Sequence, residues 1–384
     1  MSLLNTQTSK LRPPATVAIW STLWPILAAV SLGLLANFAI GPYIGGYAAT
    51  ILLQIGINII LAVSLTVVNG FTGQFSMGHA AFMVLGGYVA AGIVYYGSIR
   101  LFGSADFVGG RLSYTGIDTY DGPLIGKGDF LFVAATIAGG LFAAGAGYVV
   151  GLPSLRLRGD YLAIVTLGFG EIVRVLLQGT RDQYQFSTLD EAKNAPIWEI
   201  PLHMGGAHGF SIFPTYATLF WVWMWVVVTL VFIFRVKASS TGRAFLSIRE
   251  DEIAAQAMGI NITRQKVRAF TLASFFAGVA GALSAMYVGA INATDAGFQR
   301  SFDFIIIVVL GGLGSISGAV LAAIILTILP EALRDLAQYR LIIYALLLII
   351  MMILRPQGLF GLKEIWDLRW ARRLLGKSSK GGAA

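Results

Sequence analysis

No cysteine occurs in this 384-residue chain, which excludes disulfides, zinc–thiolate sites and thiol catalysis. Charge is scarce as well: 12% of residues are Asp, Glu, Lys or Arg, about half the share of a soluble domain. Missing too are the H-E-x-x-H and G-x-S-x-G motifs and any His/carboxylate cluster suited to hydrolysis. The nearest approach to a phosphate-cradling G-x-x-x-x-G-K-[ST] loop runs from Ala371 to Ser378. It lacks the first glycine and has no strand before it, so the chain is not expected to bind or hydrolyse ATP by itself or to be an enzyme.

What the chain does have is apolar length. Hydrophobic residues make up 57% and there are 46 glycines. In lipid the outside of a helix bundle must be apolar as well as its core, and glycine is more frequent in membrane helices than in soluble ones. A polar stretch, 1–16, carries Lys10 and Arg12 and leads into an apolar run from Val17 to Ile40. That run is long enough to cross about 30 Å of hydrocarbon, so a retained first span is expected rather than a cleaved leader.

Further apolar runs cover 46–68, 80–97, 130–152, 161–178, 215–236, 267–290, 303–330 and 338–354, with polar stretches at 98–129, 179–214 and 237–266. Backbone groups in lipid must be satisfied internally, so these runs read as helices or helix fragments. With the N-terminus cytoplasmic and every run but 303–330 crossing once, the cytoplasmic segments hold 18 Lys and Arg against 6 Asp and Glu. The outside segments hold 8 against 12. This is the positive-inside pattern, and it accounts for the net charge of +8 without nucleic acid. Both termini are then cytoplasmic. The run 303–330 is broken by Gly311-Gly312-Leu313-Gly314-Ser315 and by Gly318. It is expected to dip in and return, or to form two short helices, which makes Gly311, Gly312, Gly314 and Ser315 candidate elements of a translocation path. The alternative is a glycine packing seam. The fold expected is an all-α polytopic membrane bundle of about eight spans plus this re-entrant segment.

Two other stretches carry polar chemistry. Asn69 to His79, NGFTGQFSMGH, interrupts an apolar region with amides and hydroxyls. Asn69, Thr72, Gln74 and Ser76 could pass hydrogen bonds to an uncharged or zwitterionic solute, or could tie broken helix ends. Glu171 and Arg174 sit three apart in one span, the spacing of a mutual ion pair.

The stretch 237–266 reads KASSTGRAFLSIREDEIAAQAMGINITRQK. Ser247 followed by Glu250 forms a capping box, and Glu250, Asp251 and Glu252 suit the positive end of a helix. Gly259 suits a left-handed C′ position. A helix from Ile248 to Met258 is expected, with Ile253, Ala254, Ala257 and Met258 as an apolar stripe. Such a stripe lies on lipid headgroups or docks in a groove of a soluble partner; the small residues Ala244, Ala254, Ala255 and Ala257 favour the groove.

Within this stretch, GRAFLSIREDEIAAQAMGI resembles the coupling-helix motif of the high-affinity branched-chain amino acid ABC permeases, LivM-like branch. NGFTGQFSMGHAAFMVLGGY (69–88), LRGDYLAIVTLGFGEIVRVLLQ (157–178), VVLGGLGSISGAV (308–320) and ILRPQGLFG (353–361) resemble it in the same order. The resemblance implies that Gly242, Arg243, Ala244, Ile248 and Arg249 contact an ATP-binding cassette subunit. It implies the same for Glu250, Asp251, Ala254, Ala255 and Gly259, with Arg243 and Glu250 expected to transmit motion. It also implies a second homologous permease, two ABC ATPase subunits that bind the ATP, a periplasmic binding protein and a bacterial inner membrane. This chain then holds no cofactor. It divides into a cytoplasmic N-terminal tail (1–16), a permease domain (17–354) and a basic cytoplasmic tail (355–384). A urea or short-amide cargo, or an ion-coupled secondary transporter, are the rival readings. The departures are the polar stretch 98–129 and the N-terminal extension.

Overall fold

A computed structural model describes residues 25, 27–43, 45–114, 122–154, 161–181, 193, 196, 198–211, 213–334, 339–354, 358–359, 361 and 364. The expected tail 1–16, Arg156, Arg158 and Asp160 at the start of the run 161–178, and the basic residues beyond Glu364 lie outside them. The described chain is helical, with one antiparallel pairing of two-residue strands far apart in sequence. The helices are α1 (Leu27–Phe38), α2 (Gly46–Thr66), α3 (His79–Phe102), α4 (Lys127–Ser154), α5 (Tyr161–Gln178) and α6 (Leu219–Ala238). They continue as α7 (Ser240–Glu250), α8 (Glu252–Ala257), α9 (Ile262–Val288), α10 (Phe298–Gly311), α11 (Ile316–Ala332) and α12 (Arg340–Leu354). Strands β1 (Phe210–Ser211) and β2 (Ala290–Ile291) pair antiparallel.

Among the described residues six helices are long and apolar enough to cross a membrane: α2 with its π-helical extension to Phe71, α3, α4, α5, α6 and α9. The chain is therefore a multi-pass membrane protein. The spans α2, α3 and α9 are mostly buried, whereas α5 is mostly exposed and presents Ile164, Ile172, Val175 and Leu176 outward. Exposed apolar side chains suit a hydrocarbon solvent.

The centre is built from α3, α4 and α9, which meet at glycines. A Cβ on Gly86 of α3 would collide with the Gly278 backbone of α9, and one on Gly139 of α4 would collide with the Gly86 carbonyl. Lipid offers no hydrophobic drive for helices to associate, so close backbone approach through small residues has to supply the packing attraction.

The run 303–330 takes the two-helix form of its expectation. Helix α10 has 14 residues, about 21 Å at 1.5 Å per residue, too short to cross hydrocarbon alone. Gly312 (φ 107°) and Gly314 (φ 101°) turn the chain in the left-handed region, and Ser315 caps α11 by accepting from the Gly318 N–H.

The helix expected over Ile248–Met258 is corrected. Two helices, α7 and α8, meet at Asp251, whose extended backbone ends one and starts the other. Its carboxylate accepts from the Ile253 and Ala254 N–H groups at 2.8 and 3.0 Å. Ser247 caps nothing. It lies inside α7 and its hydroxyl donates to the Ala244 carbonyl, while Glu250 turns to Arg249. The earlier start belongs to Ser239, which accepts from the Gly242 N–H. A carboxylate taking two N–H bonds at a positive helix end outcompetes a hydroxyl taking one. Gly259 has the expected left-handed φ of 84°.

Part of the polar stretch 98–129 closes the end of the bundle remote from α7–α8. Thr218 donates to the Leu112 carbonyl and Trp221 Nε1 to Ser113 Oγ. The Asp129 carboxylate accepts from the Gly110 and Gly126 N–H groups at 2.9 and 2.8 Å.

Candidate functional site

The end of the bundle that carries α7 and α8 is called inner here, and the opposite end, with the β1–β2 pair, outer. Two places stand out, a cavity toward the outer end and a junction of irregular backbone at the inner end.

The cavity has a volume of about 720 Å³ and is lined by α2, α3, the C-terminal turns of α9, the β1–β2 pair, α10 and α11. Part of its charge comes from α10, where three-residue spacing puts Arg300 and Asp303 on one helix face, and the rest from Asp295 and Glu331 beside them. The Arg300 guanidinium stands 5.7 Å from the centre of the Phe304 ring, a cation–π distance. Asn58 donates from Nδ2 to Thr327 Oγ1 at 2.9 Å, joining α2 to α11 across the wall. Ile57, Ile307 and Leu326 supply apolar lining. A cation, carboxylates and amides around apolar side chains match a small molecule with both charges and a greasy end. None of the eight path candidates from the sequence lines this cavity. The sequence reading missed it; the signals that could have found it are Gln54 and Asn58 inside the apolar run 46–68 and the three-residue spacing of Arg300 and Asp303 at the start of the run 303–330.

All eight path candidates come together at the inner junction. Asn69, Thr72, Gln74, Ser76, Gly311, Gly312, Gly314 and Ser315 are each buried. The Asn69 Oδ1 accepts from the Ser76 N–H at 3.3 Å, and Thr72 Oγ1 donates to the Val68 carbonyl at 2.8 Å. These bonds tie the unwound stretch after α2, while Asn69 Nδ2 is buried without a partner among the described residues. A Cβ on Gly70 would lie 2.6 Å from the Gly314 nitrogen, so the two broken regions touch backbone to backbone. His79, at the start of α3, shares a 2.9 Å hydrogen bond with Ser64 Oγ and is buried, which is structural anchoring.

Two cations pin this junction. Arg249 of α7 donates to the Gly70 carbonyl at 2.9 Å and to Glu250 at 2.7 Å. Lys237, in the last turn of α6, donates to the Gly314 carbonyl at 2.9 Å.

The ten residues implied as an ATPase interface divide by burial. Arg243, Glu250, Asp251, Ala254 and Gly259 are exposed, and Ala244 and Arg249 half-buried. Gly242, Ile248 and Ala255 are buried against their own chain. The apolar stripe on α8 does face outward: Ile253 is 76% and Met258 83% exposed. On α5, Arg174 and Glu171 pair at 2.7 Å, as their spacing predicts.

The family model described as branched-chain amino acid transport system, permease component, matches residues 47–355, which takes in α2 through α12. The LivM high-affinity branched-chain amino acid transport permease of Escherichia coli is 35% identical over 317 residues, covering 79% of this chain and 67% of that protein. The LivH permease of the same organism is 28% identical over 318 residues, covering 80% and 92%. A probable LivM permease of Methanocaldococcus jannaschii is 24% identical over 355 residues, covering 86% and 98%. No solved structure matches the chain. The matched family spans both the outer cavity and the inner junction, and the chain belongs to the branched-chain amino acid transport permeases.

Proposed function

We propose that this chain is the membrane-spanning subunit of an ATP-driven importer for branched-chain or closely related amino acids. The observation that carries the reading is the short helix α8, where the apolar Ile253 and the capping residue Met258 face away from the chain that holds it. An apolar, capped helix standing outside the bundle suits the groove of a soluble motor subunit, and Ala254 and Ala257 allow close approach. The interface then consists of the outward residues Arg243, Glu250, Asp251, Ala254 and Gly259. Gly242, Ile248 and Ala255 shape the loop from within.

The outer cavity supplies the cargo site. Arg300 is placed to attract a carboxylate, and Asp303 with Asp295 to attract an ammonium group. Ile57, Ile307 and Leu326 offer surface to an aliphatic side chain. The backbone junction at Gly70 and Gly314 closes the inner end, so the buried polar residues nearby belong to the closing element. Matches to both LivM and LivH permeases over most of the chain support a second permease of the same fold as partner. Two ATPase subunits hold the ATP, a periplasmic binding protein delivers the amino acid, and the bacterial inner membrane houses the assembly.

The absence of cysteine provides a clean test. Ile253→Cys and Met258→Cys, each carrying a photocrosslinker in intact cells, are expected to capture an ATPase subunit, and labelled-leucine uptake is expected to stop on ATP depletion. Capture of lipid alone, or uptake indifferent to ATP, overturns the reading. Competition by urea in place of isoleucine and valine reassigns the cargo.

A further inference from the structure

A carboxylate from near the end of the chain lies buried at the inner junction, where import as outlined gives it no task. Glu364 is 5% exposed. Its carboxylate accepts from the Ser317 N–H at 2.9 Å, the Ser317 hydroxyl at 2.6 Å and the Ile316 N–H at 3.1 Å, so it sits across the N-terminal turn of α11. The same carboxylate takes the Lys237 ammonium at 2.5 Å. Just upstream, the Leu359 N–H donates to the Leu310 carbonyl at 2.8 Å, and Gly358 packs on Gly312 so closely that a Cβ there would lie 2.5 Å from its backbone. Gly358, Leu359 and Glu364 therefore lie along the α10–α11 break.

Lys237 holds all of this together. Besides Glu364 it bonds the Gly314 carbonyl, and it stands 5.3 Å from the centre of the Phe71 ring at the end of α2. It lies two residues before Ser239, the cap of α7. One ammonium thus touches the end of α2, the break between α10 and α11, and the C-terminal segment, and its own backbone runs straight into the loop that bears α8.

We propose that Lys237 and Glu364 form a clasp that holds the α10–α11 break shut over the unwound stretch after α2, and that the clasp releases when a docked ATPase displaces α7 and α8. The inference rests on the importer reading given above. Both are positioning residues, acting on backbone rather than on cargo. A half-buried ammonium shared among three partners, one of them a buried carboxylate, cannot lose that carboxylate gradually. Taking either charge away from the other leaves it unpaired in a poorly solvated site, so held and released are discrete states.

The test uses the full assembly in proteoliposomes, with Lys237→Cys and Glu364→Cys joined by a short reducible bis-methanethiosulfonate linker. The joined form is expected to lose ATP-driven uptake of labelled leucine and to regain it on reduction. Joining is expected to fall by about fivefold or more in the vanadate-trapped state, the lower range of allosteric coupling. Uptake that continues with the linker in place, or equal joining in both states, overturns the clasp. If the cysteine pair does not assemble, Glu364→Gln serves. It is expected to raise ATP hydrolysis without binding protein by about fivefold and to lower leucine moved per ATP. No change in either overturns the clasp. ATP-driven uptake by the unsubstituted assembly together with an indifferent linker removes the clasp alone, whereas no such uptake removes the importer reading with it.

Discussion

Arg249 divides its guanidinium between the Gly70 carbonyl and Glu250, and its side chain is 18% exposed against 71% for Glu250. Losing the charged bond to a half-buried carbonyl should cost about 1.5–3 kcal/mol, while losing the exposed half of a surface ion pair should cost under about 1 kcal/mol. In detergent, Arg249→Ala is therefore expected to lower the thermal midpoint clearly and Glu250→Ala to leave it nearly in place; equal shifts would contradict the contact with Gly70. Glu364 yields a pH prediction. Burial pushes its carboxyl up, but hydrogen bonds from Lys237 and Ser317 together with the Lys237 charge outweigh that and hold it below its ordinary 4.5. A lowered value means stabilisation that is complete above the unfolded value and lost as pH falls through the folded one. The stability gap between the natural chain and Glu364→Gln should thus be flat through the neutral range and shrink only below about pH 4.5, read as thermal midpoints against pH. At this scale the sequence was legible where partners are near in the chain, as for Glu171 and Arg174. It was silent on Lys237 and Glu364, which are 127 positions apart and meet only because α6 and the C-terminal segment reach one end of the bundle.

Long apolar runs became helices because lipid leaves the backbone no other partner, and the G-G-L-G-S break lay where the sequence put it. Caps were harder to read. Three residues in the loop could each start a helix, Ser239, Ser247 and Asp251, and spacing alone does not rank a hydroxyl against a carboxylate with a free extended backbone. Asp251→Ala should therefore loosen α8 by about 1 kcal/mol while leaving α7 intact. Hydrogen exchange is expected to quicken at 253–257 and not at 243–250. Uniform quickening across both helices would show that they behave as one unit rather than two separated at Asp251. Gly259 stays legible either way, since a helix that must turn sharply needs the left-handed conformation there.

At the scale of the whole molecule, the cavity draws on α2, α9, α10 and α11, so no single run displays it, and polar residues such as Gln54, Asn58, Arg300 and Asp303 become meaningful only once the fold brings them together. Arg300→Gln is expected to raise the KM for leucine uptake by about tenfold or more, corresponding to about 1.4 kcal/mol, with ATP hydrolysis intact. Unchanged uptake would move the cargo site elsewhere. The glycine contacts among α3, α4 and α9 bear on how any such protein could work. Helices that touch backbone to backbone at Gly86, Gly139 and Gly278 have no side chain to repack at those points, so sliding or rolling there brings backbone into collision. They form one stiff plate. Alternating exposure to the two sides of the membrane must then come from the jointed periphery, α10 and α11 with the α6–α7 corner, swinging against a part of the molecule that stays still.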